Sequence, residues 1–348
     1  MAPSYRESDI PSELIHTVDI SRADSVLKRI PYRVKVPLGL GYFIQDNAYD
    51  RGARQYITAG GVFHGWSHQA LFSLRRAREL GCRIVVERPN SHPQEMRDLV
   101  RAERLKYGVK ARVDGPFELT KCVKELDEAD RVIVCSEFAR QSHLKYGIPD
   151  SKIRVINYGV DTRAFTPGIK EDDTFRVIFC GMVCLRKGPQ YLLQAWRELS
   201  LPSAELWLIG MVLPDAVGLM EEHKDTPGVR IVGHVDSREE LAKLYQQGTV
   251  FVFPSVEDGF GMVVTEAMAC GVPVIISDNT GARDVVRHGE NGFVVPTYEV
   301  EPLKNQILQI YRHPELARDL GVEARKTAEA NTWEHYSEKL MAVYRELA

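Results

Sequence analysis

No apolar run in this chain of 348 residues approaches the roughly 18 that a helix needs to cross a bilayer. The opening residues, MAPSYRESDIPSELIHTVD, lack the basic-then-apolar build of a secretory signal. Together these absences set the expectation of a cytoplasmic protein. Positive charge is not in excess either. The 45 Lys and Arg face 48 Asp and Glu, a net charge of -3, so no whole-chain attraction to nucleic acid follows. One local basic run, FSLRRARELGCR around Arg75 and Arg76, reads on a helix as a solvated face, or as a face for peripheral association with the inner side of an anionic membrane. The six cysteines are scattered and lie mostly inside apolar runs. Cys180 and Cys184 could pair or bind metal, but no second Cys or His pair at zinc spacing accompanies them. Buried, reduced thiols and no metal site are the expectation. A G-x-G-x-x-G after an early strand is also missing, which disfavours a hydride-transferring dehydrogenase. Repeats and low-complexity segments are lacking as well.

What is present is the composition of a globular protein, 44% hydrophobic and 27% charged, at a length that suggests two domains. From about residue 57 short β-branched runs alternate with longer helical patterns. YITAGGVFH, CRIVVER, RVIVCS and KIRVIN read as strands, with SHQALFSLRRAREL and SEFARQSHLKYG as helices between them. A second series follows, with strands FRVIFCG, AELWLIG, VRIVGHV, TVFVFPS and VPVIISD and helices KGPQYLLQAWREL, SREELAKLYQQ and FGMVVTEAMACG. Strand and helix in alternation predict an α/β protein with parallel sheets covered on both faces. The stretch from 158 to 173 is polar and carries Gly and Pro, so it reads as a linker. The expected lobes are residues 1–157 and 174–330, with a helix over 331–348 that packs back on the first lobe. Ligands of such sheets bind at the carboxyl ends of the strands. The first 55 residues show no clean strand followed by a Gly-rich turn and helix.

The stretch SVEDGFGMVVTEAMACGVPV, residues 255–274, places three acids around a glycine-flanked turn. Gly259 to Gly261 let the backbone pass close to another group without a Cβ clash. The helix after them, beginning with Met262 and Val263, aims free N–H groups at a phosphate. The plainer reading is a turn that only packs. Asp258 and Glu266 have seven residues between them, and each carboxylate can accept from two neighbouring hydroxyls. Glu257 breaks that spacing and reads as a solvated loop acid. In the first half, VVERPNSHP puts Glu87, Arg88, Asn90, Ser91 and His92 at the carboxyl end of a strand. One strand earlier, VFHGWSHQAL supplies His64, Trp66 and Ser67. Trp66 suits a sugar face or core packing. Ser136 and Glu137 look like a helix cap and first turn.

This stretch, with YGVDTRAFTP, FCGMVCLRKGPQYLLQAW, VRIVGHVDSREELAKLYQQGTVFVFPS, DNTGARDVV and GENGFVV, resembles the retaining nucleotide-sugar glycosyltransferases of the GT-B fold, glycosyltransferase family 4. The resemblance implies two Rossmann-like lobes, a UDP- or GDP-sugar bound mainly by the second lobe, a carbohydrate or glycolipid acceptor, and neither metal nor redox cofactor. It makes Asp258 the counterpart of the first glutamate in the family's E-x7-E motif, near the donor sugar, with Glu266 on the nucleotide ribose. Lys187 in LRKG falls where the family sets a lysine on the donor phosphates, after Gly181. The arginine common directly after that glycine is Met182 here, and Arg186 is the candidate substitute. Gly233, His234 and Val235 match the nucleobase loop. Gly281 in DNTGARDVV either brings the backbone near the donor sugar, alongside Phe260 in the GFG turn, or sits in an ordinary turn that only packs. His92 is the candidate for the histidine that touches the donor sugar. His64, Trp66, Ser67, Glu87, Arg88 and Asn90 fall on the acceptor side. The family's opening strand and Gly-rich loop are not readable here: either the first βα unit is missing from this chain or residues 1–55 replace it in another form. The rival readings are a nucleotide-sugar-binding protein without turnover and a glycoside hydrolase using Asp258 and Glu266.

Overall fold

The computed structural model describes residues 14–30, 40–109 and 116–348. Residues 1–13 and 31–39, part of the amino-terminal stretch without a readable strand, lie outside them. From the amino end the chain runs α1 (Ser21–Arg29), α2 (Leu40–Ala53), β1 (Val62–Trp66), α3 (Leu71–Glu79), β2 (Arg83–Arg88), α4 (Pro93–Lys106), α5 (Pro116–Glu128), β3 (Arg131–Val134), α6 (Glu137–Lys145) and β4 (Ile153–Val155). It continues with β5 (Phe175–Cys180), α7 (Pro189–Leu199), β6 (Ala204–Ile209), α8 (Val217–His223), β7 (Val229–Gly233), α9 (Arg238–Gln246), β8 (Val250–Phe253), α10 (Met262–Ala269), β9 (Val274–Ser277) and β10 (Gly292–Val295). Three helices close the chain, α11 (Val300–Arg312), α12 (Pro314–Glu329) and α13 (Trp333–Leu347). The strands form two parallel sheets, β1 to β4 and β5 to β10, the α/β architecture expected of two Rossmann-like domains.

By its contacts the chain divides into two compact units. The first holds the described residues up to Glu87, those from 116 to 131, and Ala348; the second holds 88–109 and 132–347. Residues 158–173 therefore lie inside the second unit, where Tyr158, Val160 and Phe165 are buried.

In the first unit, strand pairing begins later than the YITAGGVFH reading, at Val62, because Gly60 and Gly61 both take left-handed φ and break the extended run. Two buried acids organise the helix that follows. Glu125 accepts the amides of His68, Ala70 and Leu71 at 2.6, 2.9 and 3.0 Å. Asp50 accepts those of Phe72 and Ser73 at 2.9 and 2.8 Å. Helix starts leave such amides without partners, and carboxylates there also meet the positive end of the helix dipole. Lys121, 3.0 Å from Asp50, balances the buried charge. The amino end of α3 is thus filled by the protein's own anions. Along α3, Arg75 pairs with Glu128, Arg76 with Glu79 and Arg78 with Asp130, so each arginine of this helix already faces an acid.

In the second unit the sheet order is β10-β9-β8-β5-β6-β7. β5 pairs with β6 on one side and β8 on the other, so the chain reverses its winding direction at the β5/β8 boundary. At such a switch point the loops leaving the two strands diverge and open a crevice at their carboxyl ends. The central strands are nearly continuous apolar runs because helices cover both faces. Val250, Phe251, Val252 and Phe253 are all buried, as are Val274, Ile275 and Ile276. β10 was not read as a strand; it pairs with β9 from Gly292 to Val295. At the carboxyl end of the chain, Trp333 and Tyr336 of α13 pack on Tyr158, and Glu346 pairs with Arg154 at 2.8 Å. All six cysteines are buried, and none is joined in a disulfide. Among the described residues no helix is long and apolar enough to cross a membrane.

Phe251 lies between the rings of Tyr245 and Phe253 in this core. Phe251→Ala is expected to lower the stability of the second unit by about 3–5 kcal/mol, read as an earlier urea midpoint by circular dichroism.

Candidate functional site

The loops leaving β5 and β8 meet over the switch point, within the second unit. After β5 the chain passes Gly181, at φ +130, and a short turn over Leu185–Lys187 before α7 begins at Pro189. Lys187 therefore stands just ahead of the helix that it was expected to open. After β8 come Glu257, Asp258 and the glycine turn. Backbone bonds stitch the two loops together: the Arg186 carbonyl accepts the amide of Val256 at 2.9 Å and the hydroxyl of Ser255 at 3.1 Å.

Across this seam four consecutive-pair charges face each other. The Lys187 ammonium contacts Oδ2 of Asp258, and Arg186 Nη1 lies 3.0 Å from Oε2 of Glu257. Asp258 also accepts the Phe260 amide on Oδ1 at 3.3 Å. Burial works to raise the Asp258 carboxyl, but Lys187, Arg186 and the Phe260 amide together hold it below the usual carboxylate range. Asp258 is thus ionised, and its charge is spent on Lys187. The four charges cancel within the site.

Glu257, expected in solvent, is fully buried. Its Oε1 accepts the amide and hydroxyl of Ser91 at 3.1 and 2.7 Å. A carboxylate out of water is stable only with partners of this kind. Sequence spacing hid this role. The signal that could have revealed it is the match of two consecutive cations, Arg186 and Lys187, to two consecutive acids.

The glycines serve the backbone first. A Cβ on Gly259 would sit 2.0 Å from the Pro89 carbonyl oxygen, and one on Gly281 would sit 1.8 Å from the carbonyl oxygen of Gly259. Their close neighbours are therefore protein, the packing alternative left open for them. Gly261 takes φ +83 and caps α10 without a side-chain hydrogen bond. Met262 and Val263 open α10, in the first turn, where a helix leaves its N–H groups without intrahelical partners. Phe260 is buried edge-on against Tyr158, so it offers only its backbone. Ser136 caps α6 and also donates its hydroxyl to the Gly259 carbonyl at 2.6 Å. The Glu137 amide donates to Asp284 at 2.8 Å.

Glu266, in the second turn of α10, accepts from the Tyr245 hydroxyl at 3.1 Å. Burial raises its carboxyl above the ordinary value, against that bond and the charge of Arg238. It lines a pocket of about 130 Å³ with Asp161, Phe165, Arg238, Met262 and Thr265. Neither Tyr245 nor Arg238 was anticipated. Gly233 takes left-handed φ at the end of β7. His234 beyond it is exposed, 3.1 Å from Asp236, and Val235 is half-buried. Met182 is exposed beside Gly181.

His92 takes the structural course. Its Nδ1 accepts the Gln94 amide at 3.3 Å as the cap of α4, its amide donates to Ser142 at 2.8 Å, and its ring stacks on Tyr146. Burial, then Arg88, push its pKa down to about 4. Arg88 itself is buried and donates to the Ser91 carbonyl at 3.2 Å. Asn90 is half-buried in the same turn. In the first unit His64 lies 3.1 Å from Glu87, whose carbonyl accepts the buried Ser67 amide at 2.9 Å, and Trp66 is half exposed. Among the described residues no group of three or more His, Cys, Asp or Glu could hold a metal ion.

Two family models match the chain, glycosyl transferases group 1 over residues 161–327 and glycosyltransferase family 4 over residues 61–164. The chain is 29% identical over 241 residues to a D-inositol 3-phosphate glycosyltransferase of Rhodococcus erythropolis, covering 64% of this chain and 54% of that one. It is 30% identical over 232 residues to the enzyme of that name from Jonesia denitrificans, covering 59% and 54%. The chain thus spans about half the length of these curated relatives. Among solved structures, sucrose-phosphate synthase from Thermosynechococcus elongatus matches with a TM-score of 0.69 at 24% identity, covering 91% of this chain and 80% of that one. Anabaena HepE matches with a TM-score of 0.68 at 17% identity, covering 87% and 82%. These two likenesses show the fold.

The buried imidazole gives a pH test. An unfolded histidine titrates near 6.5 and folded His92 near 4, so the unfolded chain binds the extra proton first. The stability that His92 contributes is complete above pH 6.5 and drains away as pH falls toward 4, by up to roughly 1.4 kcal/mol per unit. His92→Asn keeps a capping acceptor without that titration. Its melting temperature is expected to fall less steeply than that of the wild type between these limits.

Proposed function

Because the chain belongs to the group 1 glycosyltransferases of the GT-B fold, family 4, we propose that it transfers a sugar from a nucleoside diphosphate to a carbohydrate or glycolipid hydroxyl with retention of configuration. The observation that carries this reading is the buried Lys187–Asp258 pair at the β5/β8 switch point, beside the uncapped start of α10. A diphosphate placed there meets a compact ammonium and two aligned amides, the groups that stabilise charge on a departing phosphate. Lys187 then exchanges its internal partner for the diphosphate. Asp258, released, accepts from the sugar hydroxyls. Glu266, within reach of Tyr245 and lining the adjoining pocket, takes the ribose diol. HepE has been solved with UDP and with UDP-glucose, which supports a uridine donor over a guanosine one.

In the transfer itself the bond from the anomeric carbon to the β-phosphate oxygen breaks, and a bond to the acceptor oxygen forms on the same face. The acceptor proton passes to the departing phosphate oxygen. No protein nucleophile takes part, and the positive charge comes from Lys187, Arg186 and the α10 amides, without a metal. The protein's share is placement and electrostatic support.

A thermal-shift screen of nucleotide sugars, followed by assay of nucleoside diphosphate release with acceptor, tests this reading. The expected result is stabilisation by one donor class and turnover that Lys187→Ala lowers by about 100- to 1,000-fold, with an α-linked product from an α-linked donor. Stabilisation without turnover for any acceptor would instead support a nucleotide-sugar-binding protein. Sugar release from a glycoside without a nucleotide donor would support a hydrolase.

A further inference from the structure

Resting on the donor-site reading above, we infer that Glu257 is a positioning residue that aims Arg186 at the donor diphosphate and ties the turn after β2 to the donor loop. Both of its oxygens are committed. Oε2 lies 3.0 Å from Arg186 Nη1, while Oε1 takes the Ser91 amide and hydroxyl at 3.1 and 2.7 Å. The same Nη1 donates to the main-chain carbonyl of Glu257 at 3.1 Å. Nη1, at one edge of the guanidinium, is therefore shared between carboxylate and carbonyl, which orients the group. Its side chain keeps 17% of its surface exposed, against none for Glu257. The clamp thus leaves part of the Arg186 side chain accessible, beside Lys187 in sequence. An arginine fork held by one edge can present its remaining N–H groups to a phosphate with little further loss of side-chain freedom.

The two ion pairs of the seam differ in how they are held. Asp258 contacts Lys187 and one amide, and donor binding can part it from the lysine. Glu257 is gripped from a third segment of chain, because Ser91 bonds it through main chain and side chain at once. The turn carrying Ser91 is itself fixed: Arg88 Nε donates to the Ser91 carbonyl at 3.2 Å, and Gly259 lies against the Pro89 carbonyl. Glu257 stays in place while the neighbouring pair opens. Arg186 accordingly keeps its orientation as the diphosphate arrives. It supplies the second cation at a site where Met182 brings none.

The sign of the effect separates positioning from simple charge. If Glu257 acted only as a nearby negative charge, neutralising it would tighten diphosphate binding. Positioning predicts looser binding, because the guanidinium loses its fixed edge. UDP and GDP binding by calorimetry, and kcat/KM for the donor, are to be measured for the wild type, Glu257→Gln, Arg186→Met and the double variant. Both singles are expected to bind the preferred nucleotide about tenfold more weakly, the scale of one charge-assisted hydrogen bond. The double variant is expected to match either single, since Glu257 acts through Arg186. The double also removes the buried pair without stranding one charge, so it folds even where a single is impaired. The inference is overturned if Glu257→Gln binds as tightly as the wild type or more tightly, or if the losses multiply in the double. A wild type that binds neither nucleotide would overturn the donor-site reading together with this inference.

Discussion

The second unit holds a cluster of charges largely withdrawn from water. Lys187 and Asp258, with Arg186 and Glu257 beside them, are brought together where β5 and β8 part. None of the four could remain ionised there alone, because an isolated buried charge costs far more than a domain can offset. Held as two pairs they cancel, and the loops that carry them are fixed in register by the need to keep them matched. Around them Ser91 bonds Glu257, Ser136 bonds the Gly259 carbonyl, the Glu137 amide bonds Asp284, and Gly259 and Gly281 admit neighbouring backbone.

That arrangement gives a ligand-free site whose charge is already balanced. On the proposed reading a diphosphate is not drawn by an open cationic pocket; it competes with Asp258 for Lys187. Such competition links binding to chemistry. In that proposal the carboxylate displaced from the lysine is the one that receives the sugar, so the acid becomes available only when the phosphates are seated. Arg186 does not take part in the exchange, because Glu257 is anchored from a third segment. The contrast between an exchangeable pair and an anchored pair comes from one asymmetry: Ser91 reaches Glu257 and not Asp258.

Much of this was legible in the sequence, for identifiable reasons. The strands of the second unit are buried on both faces, so they appear as unbroken runs such as VFVF and VIIS, and the alternation with helices dictates parallel pairing. The spacing of Asp258 and Glu266, and Lys187 after the β5 loop, could be read because they depend on local turns. What escaped depends on contacts between distant residues. Glu257 looked like a loop acid because nothing near it in sequence shows that Ser91, 166 positions away, satisfies it. The stacking of His92 on Tyr146 is likewise a contact between distant residues that no local pattern announces. Gly259 and Gly281 were read for their freedom, and it is used mainly to admit neighbouring backbone. In the first unit, buried Asp50 and Glu125 fill the start of α3, and no periodicity announces such long-range capping.

The central claim is that Asp258 and the donor diphosphate compete for Lys187. The affinity of Asp258→Asn for the free nucleoside diphosphate, compared with the wild type by titration calorimetry, addresses it most directly. The account predicts that the variant binds the diphosphate more tightly, because its lysine no longer has an internal anion, while sugar transfer is lost. Weaker or unchanged diphosphate binding by Asp258→Asn would contradict it.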